Sequence, residues 1–208
     1  MSSKEAAPYH HGDLRTALVQ AAVEMAEQDG IDAITTRAIA RKVGVSHAAP
    51  ARHFPDRPAL LAAIAAEAFK KFGRAIARAG DAEPTATKKL AAMGRAYVRF
   101  GMDHPALIRL IFSPMLEALK DRPRELADAG DRAFETLQQG VRSALRPGTS
   151  EETVTLAALM AWSQVHGLVS LWLDGPVSRS FPERGRRAAF LAVADAIIEA
   201  SSRTIASL

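Results

Sequence analysis

From Leu14 onward, apolar residues recur at Leu14, Ala17, Leu18, Ala21, Ala22 and Met25, the spacing that gives a helix one apolar face. Asp29-Gly30 ends that pattern, because glycine takes the left-handed conformation that closes a helix. Thr35 or Thr36 caps a second helix, TRAIARKV, which stops at Gly44. Ser46 caps a third, HAAPARHF, with Pro50 near its first turn and Pro55 at its end. Asp56 caps a longer fourth, striped by Leu60, Leu61, Ile64, Ala68, Phe69, Phe72 and Ile76. Residues 80–84, GDAEP, break the chain. Further helices are predicted over 86–103, 105–119, 123–145, 150–173 and 183–205, with proline or glycine between them and Ser150 capping the fourth of these. No stretch alternates as a half-buried strand would, so the fold class is all-α.

Residues 153–173 carry no charge and are long enough to cross a bilayer. They also hold two Thr, two Ser, Gln164, His166 and Gly167, and their flanks are Glu151, Glu152 and Asp174, without lysine or arginine. The expectation is a helix buried on nearly every face inside protein, with no membrane partner. The 208 residues are 48% hydrophobic and 24% charged, as in an ordinary globular chain, and include no cysteine. That excludes a disulfide scaffold, a cysteine-ligated zinc or iron–sulfur site and a thiol nucleophile. The first residues lack a signal-peptide run, so a cytoplasmic location is expected. There is no glycine-rich phosphate loop, no G-x-S-x-G and no H-E-x-x-H. Ser163 and His166 are helical neighbours without an acid nearby in sequence, and Asp103-His104 reads as a helix-end cap. No enzymatic activity, cofactor or metal is expected. His10-His11 precede the first helix without a third ligand nearby, and so suit a backbone contact better than a metal.

The most informative segment is 36–58, TRAIARKVGVSHAAPARHFPDRP. A helix–turn–helix needs a small residue where its helices cross, a relaxed turn four residues later and apolar residues at the corner. Ala40, Gly44 and the set Ile39, Val43, Val45 and Phe54 fill those places. Charge adds to the pattern. Residues 37–57 carry Arg37, Arg41, Lys42, Arg52 and Arg57 against Asp56 alone, whereas 13–32 carry Arg15 against Asp13, Glu24, Glu27, Asp29 and Asp32. A local basic patch on the second and third helices is the footprint of a phosphate-binding surface.

From Tyr9 to Phe69, YHHGDLR…GVSHAAPARHFPDRPALLAAI, the chain resembles the N-terminal DNA-binding domain of TetR-family transcriptional regulators. The segment AWSQVHGLVSLWLDG resembles the tryptophan–histidine–glycine signature of one C-terminal subgroup, with Trp162, His166 and Gly167 in the matching places. The resemblance implies a helix–turn–helix domain over 1–58, joined by a long helix to a helical ligand-binding and dimerisation domain over 59–208. It implies a homodimeric repressor that leaves a palindromic double-stranded operator when a small apolar molecule binds. Two positions depart from the family pattern: Ala51 stands where tyrosine is usual, and Arg57 where lysine is usual. A helical carrier protein without a DNA role is the alternative, and it has no reason to own segment 36–58.

The expected DNA contacts are Thr35, Thr36, Arg37, Ser46, His47, Ala48, Ala51, Arg52, His53 and Arg57. Thr35 and Thr36 can cap a helix or clamp a phosphate there. His47 can bond a base edge and Ala48 can pack on a thymine methyl. His53 reads equally as a DNA contact or as a structural partner of Phe54 and Pro55. Candidate ligand contacts are Tyr97, Phe100, Phe112, Met115, Phe134, Trp162 and His166, with Met160 and Gln164 beside them, although such residues at helical spacing also build cores. On 150–173, Trp162, His166, Val169 and Leu173 share one face and Ala157, Ala161, Val165, Leu168 and Trp172 another. Two apolar faces suggest two partners. The homodimer is expected through 150–173 and 183–205, with Ala157 and Ala161 allowing close approach and Phe190, Val193, Ala194, Ile197 and Ile198 contributing from the last helix.

Overall fold

The computed structural model describes residues 11–119, 123–175 and 177–208, and among them there is no strand. Helix α1 spans His11–Asp29, α2 Thr36–Val43, α3 Arg57–Asp81, α4 Ala86–Asp103 and α5 Pro105–Ile111. Then come α6 Pro114–Glu117, α7 Arg124–Ala144, α8 Glu151–Leu173 and α9 Arg186–Ala206. Several ends are set by side-chain caps. Thr35 Oγ1 accepts from the Ala38 N–H at 3.1 Å, Asp56 from Ala59 at 2.7 Å and Ser150 from Thr153 at 3.2 Å. Such caps contribute about 1 kcal/mol each. Gly44, at φ 79°, closes α2, and the Val45 N–H then reaches back to the Ala40 carbonyl at 3.0 Å.

Three expected elements differ. Segment 47–54 is not a regular α-helix but a turn followed by a 3-10 turn at Pro50–Arg52, with Ala49 at its N-cap and no side-chain cap. Pro50 stands where the first α-helical N–H should reach Ser46, and it has none to give. The Ser46 carbonyl accepts from Ala49 instead, at 3.0 Å, and the tighter pitch continues. The helix expected over 105–119 is split into α5 and α6, because Pro114 holds Ser113 extended at ψ 139°. The last helix begins at Arg186, after Gly185 in the left-handed region.

One apolar core runs from Leu18 and Ala22 of α1, through Leu60, Ile64 and Phe72 of α3, to Phe190 and Ile198 of α9. Helix α3 packs along α4 and α7, and α4 packs against α8 and α9. The α4 packing is close because Gly94 and Gly101 lie on one face. A Cβ at Gly101 would stand 2.5 Å from Val169 Cγ1, and one at Gly94 3.0 Å from Ile198.

The faces of α8 also differ from expectation. Ala157 is fully buried with Leu90, Val141, Leu145 and Val154, so it cannot meet a second subunit, and half-buried Ala161 packs against the same cluster. Val165 and Val169 belong to the main core, with Trp162, Leu168, Trp172 and Leu173 packed against it. A third stripe, Leu156, Leu159, Met160, Ser163 and Leu171, faces outward, so α8 is not buried on every side. Gly167 continues this stripe, and a Cβ there would meet nothing within 4 Å.

Candidate DNA interface and ligand cavity

Helix α2 and the turn after it stand against the core on Ile39, Ala40, Pro50 and Phe54, all buried, with Val43 and Val45 packed beside them. Burying these residues turns the intervening positions outward. Thr35, Arg37, Ser46, His47, Ala48, Ala51, Arg52 and Arg57 are exposed, and Thr36 and His53 are half-buried. The His53 ring lies 6.3 Å from that of Phe54. The ten positions expected at DNA thus lie on α2, the turns flanking it and the start of α3, and none of them is buried. His10 lies outside the described residues, as does the side chain of His11.

The five basic residues of the patch are not equivalent. Arg37, Arg41 and Arg52 make no ion pair among the described residues, whereas Lys42 Nζ lies 3.0 Å from Glu24. Arg57 is anchored: its guanidinium donates to the Ile34 carbonyl at 2.7 Å and the Ile31 carbonyl at 3.2 Å, with Asp32 at 3.7 Å. It therefore ties the 31–34 turn to the start of α3. Local spacing carries no sign of this, since the partners lie 23 and 26 residues away.

Two carboxylates pin α1 to the rest of the molecule. Glu125 of α7 accepts from Arg15 of α1 and Lys70 of α3, at 2.8 Å each. Burial opposes its charge, but the two cations prevail and hold its carboxyl below the usual range. Glu27 of α1 accepts from Lys71 at 2.5 Å and lies 2.7 Å from His104 Nδ1. Burial, with help from Lys71, lowers the His104 pKa. The Asp103-His104 pair is therefore divided, His104 turning to Glu27 while Asp103 pairs with Arg187.

A cavity of about 300 Å³ lies between α3, α4, α7, α8 and α9. Phe69, Phe72 and Ile76 of α3, Tyr97 of α4, Phe112, Phe134 of α7 and Trp162 of α8 supply its apolar walls. Tyr97, Phe112, Phe134, Trp162 and Gln164 line it as the sequence suggested. His166 sits behind the wall, its Nδ1 2.8 Å from the Tyr97 hydroxyl and its ring 4.7 Å from that of Phe112. Burial raises the Tyr97 pKa and lowers that of His166, so both are held neutral and share one hydrogen. Phe100 is core, packed on Phe72 and His104 rather than on the cavity. Met115 and Met160 are turned to solvent, at 42% and 41% exposure. Nothing in the sequence singles out Ser201 and Ser202, which line the cavity from α9.

An exposed helix–turn–helix carried on an all-helical body defines a DNA-binding regulator. Comparison with known proteins then gives the family. Residues 18–64 match the model of bacterial regulatory proteins of the tetR family, and residues 90–197 match the tetracyclin repressor-like C-terminal domain. The chain belongs to the TetR family of transcriptional regulators. It is similar to a structure of a protein with unknown function from Rhodococcus sp. RHA1, at 32% identity and TM-score 0.73 over 97% of this chain and 98% of that one. A tetR-family regulatory protein from Rhodococcus RHA1 shares the fold at 22% identity and TM-score 0.61, over 92% and 96% of the two chains. The nucleoid occlusion factor SlmA of Vibrio cholerae is 29% identical over 133 residues, which span 64% of this chain and 66% of that protein, just under two thirds of its length.

Proposed function

We propose that the protein is a cytoplasmic, homodimeric repressor that holds a palindromic operator through residues 35–57 and releases it when a small, largely apolar molecule fills the cavity. The observation that carries this reading is the course of α3. It begins at the DNA-facing end, capped by Asp56 and anchored by Arg57, and 12–19 residues later presents Phe69, Phe72 and Ile76 to the cavity. At 1.5 Å per residue, one continuous helix spans the roughly 18–29 Å between the two places. Lys70 and Lys71, beside the cavity residues on that helix, grip the carboxylates that hold α1. A change of α3 or α7 around a ligand therefore acts on the DNA-facing end through Glu125 and Glu27.

Ser46, His47, Ala48 and Arg52 are assigned to base edges, with Thr35, Thr36, Arg37, Arg41 and His53 at the backbone. Ala51 leaves room where the family carries tyrosine. Tyr97, Phe112, Phe134 and Trp162 are assigned to the ligand, and His166 to positioning Tyr97. The Trp162–His166–Gly167 pattern supports placement in the tryptophan–histidine–glycine subgroup. Dimerisation is assigned to the outward stripe of α8 with the small exposed face of α9, Ala188, Ala192, Val193, Ala196 and Ala200. Two such helices per chain make a four-helix interface in which each subunit offers the same patch. The boundary proposed at 58 falls in the first turn of α3, so the two domains share that helix. The test is fluorescence anisotropy of duplex DNA from upstream of the protein's own gene. Tight binding that competitor DNA of random sequence does not displace supports the reading, and binding indifferent to sequence refutes it.

A further inference from the structure

The polar groups around the cavity define what it can hold. No lysine, arginine or histidine is among its described lining residues, and Glu117 and Asp131 are exposed at its edge. An anion entering here would shed water without meeting a cation among the described lining residues, and would do so beside the Asp131 carboxylate.

The opposite signal comes from Ser202. It is 3% exposed, lies on the cavity wall and makes no side-chain hydrogen bond among the described residues. Some hydroxyls on these helices return to the carbonyl four residues back, as Thr204 does to Ala200 at 3.0 Å and Ser143 to Gln139 at 2.8 Å. Ser202 does not, and its Oγ, unlike the sealed Ser113 Oγ, keeps accessible surface on the cavity wall. One donor and two acceptor sites are thus left beside the apolar space. Gln164 and Ser201 line the cavity too, and their side chains are likewise without hydrogen bonds among the described residues. Across the cavity, the Tyr97 hydroxyl is already engaged by His166.

We infer that the cavity takes an uncharged, ring-bearing molecule whose single hydroxyl or carbonyl is received by Ser202, with Gln164 as the second contact, and that it rejects carboxylic acids. This rests on the reading of the cavity as the effector site. The six aromatic side chains of the wall, from Phe69, Phe72, Tyr97, Phe112, Phe134 and Trp162, supply the surface for the rings.

Equilibrium dialysis of the full chain against 2-naphthol, naphthalene and 2-naphthoate at pH 7 tests it. The expected order is 2-naphthol, then naphthalene about 3- to 10-fold weaker for want of one hydrogen bond, then 2-naphthoate weaker than both. Ser202→Ala, a change that a helix accepts readily, should bring 2-naphthol closer to naphthalene, with Gln164 keeping the remainder, and leave naphthalene itself bound, which also reports an intact cavity. Two results would overturn the inference: 2-naphthoate binding as tightly as 2-naphthol, or an unchanged ratio of 2-naphthol to naphthalene in Ser202→Ala. If all three probes fail on protein that still binds DNA, the effector-site reading falls instead.

Discussion

Leu159→Glu should separate the subunits while leaving each chain folded. Leu156, Leu159, Met160 and Leu171 of α8 and Val193 of α9 are 41–55% exposed, although each is a large apolar side chain. Fully burying such a side chain contributes about 1.5–3 kcal/mol, so covering the exposed half contributes about 1 kcal/mol. Five positions on each of two chains give about 10 kcal/mol gross. That is of the same order as the cost of about 4–15 kcal/mol for immobilising two bodies, so the interface has little surplus. A glutamate at 159 removes about 2 kcal/mol of this burial across the two copies, and also buries an unpaired carboxylate twice, at several kcal/mol in total. Sedimentation velocity should therefore show a monomer at micromolar protein, with helical circular dichroism unchanged because Leu159 is outside the core. DNA affinity should collapse, since a single helix–turn–helix holds only one half-site. Ala161→Glu is the control. Ala161 faces inward beside Trp162 on the cavity wall, so this change should disturb ligand binding or folding rather than assembly selectively. A dimeric Leu159→Glu with normal DNA affinity would refute the assignment of the outward α8 stripe.

Other outcomes follow from the same geometry. Gly101→Ala should destabilise the fold by about 1–3 kcal/mol in urea melts, because its Cβ would overlap Val169; combined with Val169→Ala it should cost less than the sum of the two changes. Arg37→Ala, Arg41→Ala and Arg52→Ala should each flatten the log–log salt dependence of DNA binding, by about 0.9 for every phosphate left without its cation. Arg57→Ala should chiefly lower the melting temperature, by freeing the 31–34 turn. His104 and His166 both have lowered pKa values in the fold, so the stability they contribute is present above the ordinary histidine value of about 6.5 and is lost as pH falls through their lowered values. Chemical melts between about pH 7 and 5 should show this decline, and His166→Asn should make it shallower.

The helix ends were legible because short-range chemistry sets them. Thr35, Asp56 and Ser150 cap within three residues, and Gly30 and Gly44 take positive φ beside the helices they close. The outward turn of the 35–57 set was legible for a related reason: buried Ile39, Ala40, Pro50 and Phe54 fix by local spacing which neighbours point outward. What escaped depends on partners far along the chain. Arg57 reads as a free cation until the fold brings the Ile31 and Ile34 carbonyls to it. On α8, both expected apolar stripes turn inward, one around a cavity that periodicity cannot show. The outward stripe is hidden because Ser163 and Gly167 interrupt it. Ser202 escaped because a serine in a helix carries no signal until its surroundings are known.

On the proposed reading, exposed residues of segment 46–52 read base sequence from a scaffold fixed by α1 and α3. Duplexes selected from a random pool by the wild-type protein provide the site, and anisotropy titrations of wild type and His47→Ala then compare that site with random DNA at one salt concentration. Loss of about 1–3 kcal/mol per half-site on the selected duplex, with binding to random DNA nearly unchanged, is the expected result. Equal losses on both duplexes, or none on either, would contradict the claim.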